Sequence, residues 1–178
     1  MDIAFFVHDT PTWIIDQIVT LKNAGLDVRV FSFTKDSIFS KNLKLNNIQP
    51  VIISWGVKKY HRISHSFIKS PIRFIKLLIV SVSIHSKFNY SLKTIIKMFP
   101  SILDISDLLM SDPPNFIHAN FASLPGFFTS LVSGLIKKPF TVTVHASGDI
   151  YRPNPILEYV LNSAASISSV NYFNIKYF

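Results

Sequence analysis

The sequence predicts an α/β fold of the Rossmann-like type, in which a doubly wound, mostly parallel sheet carries helices on both faces. First, short apolar runs of strand length alternate along the chain with segments of helical periodicity. Second, residues 3–7 are apolar throughout, which is typical of a strand covered on both faces. Third, residues 115–144 read as a compact strand, helix and strand unit. With 178 residues, 48% of them hydrophobic, and no linker or repeat, the chain is predicted to form one domain over residues 1–178.

The first half of the chain predicts three strands and one amphipathic helix. Trp13, Ile14, Ile18 and Leu21 have the three-to-four spacing that predicts one helix face, with Thr12 as the predicted N-cap and Gly25 past the last turn. The motif "DVRVFSF" alternates as a second strand does, and residues 51–55 predict a third.

The second half predicts helices first and then a return to alternating elements. Residues 58–110 have a helical pattern, which Pro71 and Pro100 are predicted to break into two or three helices. Five aromatic residues at core-like spacing are predicted to pack in the interior, namely Trp13, Phe127, Phe128, Phe140 and Tyr151. The later predicted elements are a strand at 115–119, a helix at 124–136, a strand at 140–144, a helix at 156–162, the strand "SISSV" and a helical "NYFNIKYF".

Charge is distributed unevenly. The net charge is +8, and no acidic residue occurs between Ser37 and Leu103. This basic span with apolar neighbours predicts contact with an anionic membrane surface, although a solvated helix face is an equally simple interpretation. No nucleic acid is predicted, since no recognition module accompanies the basic span. The cations predicted to contact the membrane are Lys58, Lys59, Arg62, Lys69, Arg73 and Lys76.

Several common chemistries lack their sequence signatures. The chain has no cysteine, no glycine-rich nucleotide-binding loop, no G-x-S-x-G elbow, and Glu158 as its single glutamate. We therefore predict no metal site and no cofactor. The opening "MDIAFFVHDTP" has no basic leader, so we expect a cytoplasmic protein with peripheral contact at the inner face of the cell membrane.

Polar residues gather where three predicted strands end. Since the carboxyl ends of parallel strands form the ligand crevice of such sheets, these residues are candidates for a binding site. His145 and Asn120 are the candidate catalytic groups, and each could equally be a hydrogen-bonded structural residue. Asp149 could bind a hydroxyl group or cap the following segment, and Asp9 could likewise be a helix cap. The remaining candidates for acceptor binding are His8, Thr10, His118 and Ser147.

The run "FIHANFASLPGFFTSLVSGLIKKPFTVTVHASGDIY" resembles a known family. It is similar to the H-A-H-F-A, helix, G-x-P-F-x-x-T-x-H-A-x-D-I-Y stretch of bacterial two-lobed B-type glycosyltransferases, retaining family four. Members of this family make exopolysaccharides of the colanic-acid type and lipopolysaccharide. The segments "PTWIIDQIVTLKNAGLDVRVFSF" and "AASISSVNYFNIKYF" resemble other parts of the same N-terminal lobe.

The resemblance implies an acceptor-binding lobe. In the family, this lobe meets a glycan or lipid-linked acceptor, while a C-terminal lobe binds the nucleotide-sugar whose hexosyl group is transferred. His118 and Asn120 match the two histidines of H-A-H-F-A, and His145 and Asp149 match the later motif. The chain departs from the pattern at Asn120, which replaces a histidine, and at the extra Gly148.

Because the donor lobe is missing from the chain, we expect it to be truncated and not to transfer sugar alone. A non-catalytic acceptor-binding subunit, an inactive truncated gene product and an unrelated Rossmann-like binding domain are the alternatives.

Overall fold

The computed structural model describes residues 1–8, 12–34, 37–53, 60–145, 149 and 154–170. The strands there are β1 (Asp2–Val7), β2 (Asp27–Ser32), β3 (Val51–Ile52), β4 (Phe116–Asn120), β5 (Phe140–Val144) and β6 (Ser166–Ser169). The helices are α1 (Thr12–Asn23), α2 (Ser37–Leu45), α3 (Tyr60–Lys69), α4 (Pro71–Phe88), α5 (Leu92–Ser111), α6 (Leu124–Ile136) and α7 (Leu157–Ser163).

The strands form one sheet in the order β3-β2-β1-β4-β5-β6, and every pairing is parallel. The predicted Rossmann-like, doubly wound α/β fold is therefore confirmed. The chain leaves β1 towards one edge of the sheet and leaves β4 towards the other. In a doubly wound sheet, the carboxyl ends of two such neighbouring strands are where a ligand crevice usually forms.

Two hydrophobic cores lie on opposite faces of the sheet. On one face, Phe6 and alternate residues of the other strands pack against α4, α5, α6 and α7. On the other face, Phe5 and Val30 pack against α1 and α2, chiefly through Ile14, Ile18 and Phe39. Residues 3–7 are all buried because these two cores cover both sides of β1.

The sheet face that α1 covers becomes polar over β4, β5 and β6. His118, Thr141 and Thr143 point to this side and are half-buried, while Ser166 and Ser168 are exposed. β5 accordingly alternates between buried and half-buried residues, whereas β1 does not. We call this surface the open half-face, defined by these five residues.

The prediction that Pro100 breaks the helical region is wrong, because Pro100 lies buried inside the long helix α5. A proline removes one helical hydrogen bond, and the apolar packing on both sides of it outweighs that loss. The chain instead breaks at Asn89, whose φ of +52° ends α4 in a left-handed cap. Ser91 then begins α5 by accepting a hydrogen bond from the backbone N–H of Thr94. The predicted break at Pro71 is confirmed, because α3 ends at Lys69 and α4 begins at Pro71.

The other predicted element boundaries lie closer to those of the structure. Thr12 is the first residue of α1 and not its cap, whereas Gly25 has the φ of +84° expected past the last turn. α2 was not predicted, and among its described side chains Phe39 and Leu43 are buried at helical spacing. The predicted helix "NYFNIKYF" lies outside the described residues. No helix in the described part of the chain is long and apolar enough to cross a bilayer.

Candidate functional site

A polar contact joins the carboxyl ends of β4 and β5. Asn120 is the last residue of β4, and His145 directly follows β5. The imidazole Nε2 of His145 lies 2.7 Å from the amide Oδ1 of Asn120. The Asn120 amide Nδ2 donates to Gln17 Oε1 of α1 at 3.2 Å. β4, β5 and α1 therefore meet here, and His145 and Asn120 share one rim at the carboxyl end of the sheet, as the sequence predicts.

This chain of hydrogen bonds fixes the tautomer of the imidazole. The Oδ1 atom of Asn120 can only accept, so Nε2 of His145 carries the proton. In the neutral ring, Nδ1 then holds a lone pair that can accept a hydrogen bond. Burial lowers the pKa of His145 to about 4, so the ring is neutral at pH 7. Such a ring is a weak base but a good acceptor for a hydroxyl group.

Two aromatic rings flank the imidazole. The ring of Phe121 lies 4.2 Å from that of His145, and the indole of Trp13 lies 4.9 Å from it on another side. Trp13 is 43% exposed, so the prediction that it packs in the core is wrong. Phe121 has a φ of +97°, a left-handed value that side chains rarely adopt. The backbone strain at Phe121 directly follows β4 and therefore lies at the site itself.

Asp149 holds the ends of the two strands together. Its Oδ2 accepts hydrogen bonds from the backbone N–H groups of His145 at 3.0 Å and Ala122 at 3.1 Å. The Asp149 N–H in turn donates to the carbonyl of His145 at 3.0 Å. Burial raises the pKa of the Asp149 carboxyl, and the hydrogen bonds from His145, Ala122 and Ser123 act in the opposite direction. The structure thus gives this carboxylate a positioning contact with His145, and its predicted role in acceptor binding stays a prediction.

His118 lies one step inside the site, on the same side of β4 as Asn120, as the alternation of a strand requires. Its Nδ1 lies 2.8 Å from the Thr141 hydroxyl, and its Nε2 lies 3.2 Å from the Thr143 hydroxyl. The ring also contacts Phe5, with centroids 4.8 Å apart. Burial, with a smaller effect from the nearby His145, lowers the pKa of His118 to about 4. His118 is therefore neutral, and both of its ring nitrogens have threonine hydroxyl partners below the rim formed by His145 and Asn120.

The other predicted site residues are placed as follows. His8 follows β1, where its ring lies 6.2 Å from Phe33 and its carbonyl accepts from the Thr34 hydroxyl. Lys69 and Arg73 both bind Asp107 of α5. Lys76 is exposed on α4. The predicted positions outside the description are Asp9, Thr10, Ser147, Tyr151, Lys58, Lys59 and the side chain of Arg62.

Sequence reasoning missed two residues of the site, Gln17 and Phe121, and misplaced Trp13. One signal was available for α1, because Trp13 and Gln17 are four residues apart and so share a helix face that is not the one formed by Ile14 and Ile18. Among the described residues, no three His, Asp or Glu side chains lie close enough together to hold a metal ion.

No protein-family model and no curated protein matches the chain. The resemblance to two-lobed glycosyltransferases therefore stays a prediction from the sequence motifs.

Proposed function

We propose that this chain is the acceptor-binding lobe of a glycosyltransferase that acts on a lipid-linked or polysaccharide acceptor. The observation that carries the proposal is the hydrogen bond between His145 and Asn120 at the carboxyl ends of β4 and β5. It unites the two motifs on which the family resemblance rests, although they lie 25 residues apart in the chain. The carboxyl end of a doubly wound sheet is also the usual place for a ligand.

The chemistry of the rim suits a carbohydrate. The lone pair on Nδ1 of His145 can accept a hydrogen bond from a sugar hydroxyl, and the low pKa of the ring favours orienting that hydroxyl over removing its proton. The half-exposed indole of Trp13 offers a flat apolar surface beside this acceptor, and the apolar face of a pyranose ring can pack against it. Trp13 thus joins His145 as a proposed binding residue.

The role of this lobe in transfer is positional. A donor sugar and an acceptor hydroxyl must be aligned at near contact distance before they react. His145 and Trp13 would hold the acceptor, Asn120 would orient the imidazole of His145, and a C-terminal lobe of the family type would hold the nucleotide-sugar.

Acceptor binding and transfer are tested separately. Titrating the chain with lipid-linked sugars and oligosaccharides, followed by isothermal titration calorimetry, should give saturable binding. Trp13→Ala and His145→Ala should weaken it at least tenfold, and Trp13→Phe, which keeps an aromatic face, should weaken it less. Transfer from a panel of nucleotide-sugars is then measured with and without a C-terminal lobe supplied separately.

The outcomes distinguish the alternatives. Transfer only with the added lobe would support the proposal. Acceptor binding without transfer under any condition would favour a non-catalytic binding subunit. If no acceptor binds, the proposed function is wrong.

A further inference from the structure

The outer face of α4 carries an exposed aliphatic stripe. Ile68 at the end of α3 and Ile72, Ile75, Ile79 and Val82 on α4 follow one another at spacings of four and three residues. These five side chains, which we call the α4 stripe, are between 48% and 77% exposed. The four residues on α4 lie on one face of that helix because they recur at these spacings, and Ile68 precedes them at the end of α3.

α4 is therefore apolar on opposite sides. Its inner side packs through Phe74, Leu77 and Ile84 onto the core that it shares with α5 and α6. A surface helix of a globular protein normally has a polar outer face. A contiguous exposed apolar patch of this kind marks a surface for a partner or a membrane.

An apolar groove continues the α4 stripe towards α6 and α7. Two adjoining cavities, of about 270 and 430 Å³, share Ile79, Val80 and Tyr159 in their walls. Lys76 lines the first cavity, and Lys87 lines the second. The α4 stripe is thus bordered on this side by a groove with ammonium groups along it.

Charge decides which partner the α4 stripe fits. Neither α3 nor α4 contains an acidic residue. Lys69 and Arg73 are engaged by Asp107, and Lys87 lies 3.7 Å from Glu158 in a pair exposed to solvent. Lys76 adds a further exposed positive charge beside the stripe. A second copy of this chain would bring α3 and α4 cations against the same cations, whereas an anionic lipid surface would attract them.

We propose that the α4 stripe, with the groove beside it, is a contact surface for an anionic lipid bilayer. The aliphatic side chains would enter the boundary between headgroups and acyl chains. Lys76 and Lys87 have long aliphatic stems, so their ammonium groups can reach the headgroup phosphates. This contact depends on α4 alone and does not rest on the proposed sugar transfer.

Vesicle sedimentation with the whole chain tests the contact. Vesicles of phosphatidylcholine are compared with vesicles that contain phosphatidylglycerol, at low and at high salt. We expect binding to the anionic vesicles at least tenfold stronger than to the neutral ones, with a partial loss of affinity at high salt. Lys76→Gln should reduce this preference.

The double variant Ile72→Gln and Ile79→Gln should weaken binding to anionic vesicles at least tenfold. A matched control is Leu108→Gln with Met110→Gln on α5, where both side chains are 42% exposed but lie outside the α4 stripe. The control pair should bind like the unchanged chain. Equal losses in both double variants would overturn the proposal, as would equal binding to neutral and anionic vesicles.

A second measurement tests the contact without removing apolar side chains from the α4 stripe. Val82→Trp places an indole at the end of the α4 stripe, and acyl-brominated phospholipids should quench its added fluorescence. An indole that is not quenched would overturn the proposal. Sedimentation equilibrium without lipid completes the test, because concentration-dependent dimers that Ile72→Gln with Ile79→Gln abolishes would assign the stripe to a second copy.

Discussion

The imidazole Nε2 of His145 lies 2.7 Å from the side-chain Oδ1 of Asn120, across the ends of two neighbouring parallel strands. The contact is buried on both sides, so each group depends on the other to satisfy its hydrogen-bonding capacity. The protonation state of His145 should therefore respond directly to the chemistry at position 120.

Replacing Asn120 with aspartate should raise the pKa of His145. A carboxylate at this distance favours the charged imidazolium, and a nearby opposite charge typically shifts a pKa by about 1 to 3. The pKa of about 4 should therefore move towards or above the ordinary value of 6.5. Imidazole resonances followed by NMR across the pH range measure this change, and a pKa that stays near 4 in Asn120→Asp would contradict the geometry.

Asn120→Leu keeps a similar shape but removes the acceptor. The Nε2–H of His145 would then be buried without a partner, which typically costs about 1–3 kcal/mol. We expect the free energy of unfolding in urea to fall by that amount at pH 7. A loss well below 1 kcal/mol would mean that water or another group replaces the amide.

The two low-pKa histidines make the fold sensitive to acid. In the unfolded chain His118 and His145 take up protons near pH 6.5, but in the folded chain they do so only near pH 4. Since the unfolded state binds more protons between these values, the free energy of unfolding is highest above pH 6.5 and falls as the pH decreases towards 4. The loss should be at most about 3 kcal/mol for each histidine.

Urea unfolding at several pH values between 4 and 7.5 measures this dependence. His118→Gln cannot titrate, so it should flatten the slope over that window. A slope that is unchanged in His118→Gln would show that other groups cause the acid sensitivity.

Two glycines of α6 should respond to alanine with opposite signs. A Cβ at Gly126 would lie 2.8 Å from Val160 Cγ1 and 3.0 Å from the Phe121 carbonyl oxygen, whereas one at Gly134 would have nothing within 4 Å. Gly126→Ala should therefore destabilise the fold by about 1–3 kcal/mol through overpacking. Gly134→Ala should stabilise it by about 0.5–1 kcal/mol, because alanine favours the helix. Thermal unfolding of the two variants tests the close approach of α6 to α7. Equal changes in stability for Gly126→Ala and Gly134→Ala would refute that close approach.

The backbone at Phe121 should favour glycine over alanine. Its φ of +97° strains any residue that has a Cβ, and such strain costs on the order of 1–3 kcal/mol. Both Phe121→Gly and Phe121→Ala lose the ring contact with His145, so the difference between them isolates the backbone. We expect Phe121→Gly to unfold at the higher urea concentration. If Phe121→Ala unfolds at the higher urea concentration instead, backbone strain at position 121 is ruled out.

Much of the fold was predictable because local signals agreed with the tertiary environment. The bounds of β5 and α6 match the sequence prediction, since lysine and proline residues separate them and a proline lies in the first turn of α6. α2 and the position of Pro100 were not predictable in this way. Each is decided by packing against distant residues, as with Pro100 among the buried side chains of α5.

The candidate site was predictable in composition but not in detail. His145, Asn120 and Asp149 could be assigned to strand ends from their neighbours in the sequence. Their contacts depend on the register of β4 against β5, in which Asn120 pairs with Thr143. That register cannot be predicted from a single sequence. Trp13 was misassigned because an indole at helical spacing looks the same whether it faces a core or a crevice.

The open half-face has a consequence for how this chain can diverge. Along β1, residues 4–7 are all enclosed, so a charged replacement at any of them would be eliminated by selection. Along β5 and β6, Thr141, Ser166 and Ser168 meet water on one side, and hydrophilic replacements there cost little. In sequences that descend from this one, we therefore expect substitutions at every second residue of the strands near one edge of the sheet. The residues of the central strand should remain nearly unchanged.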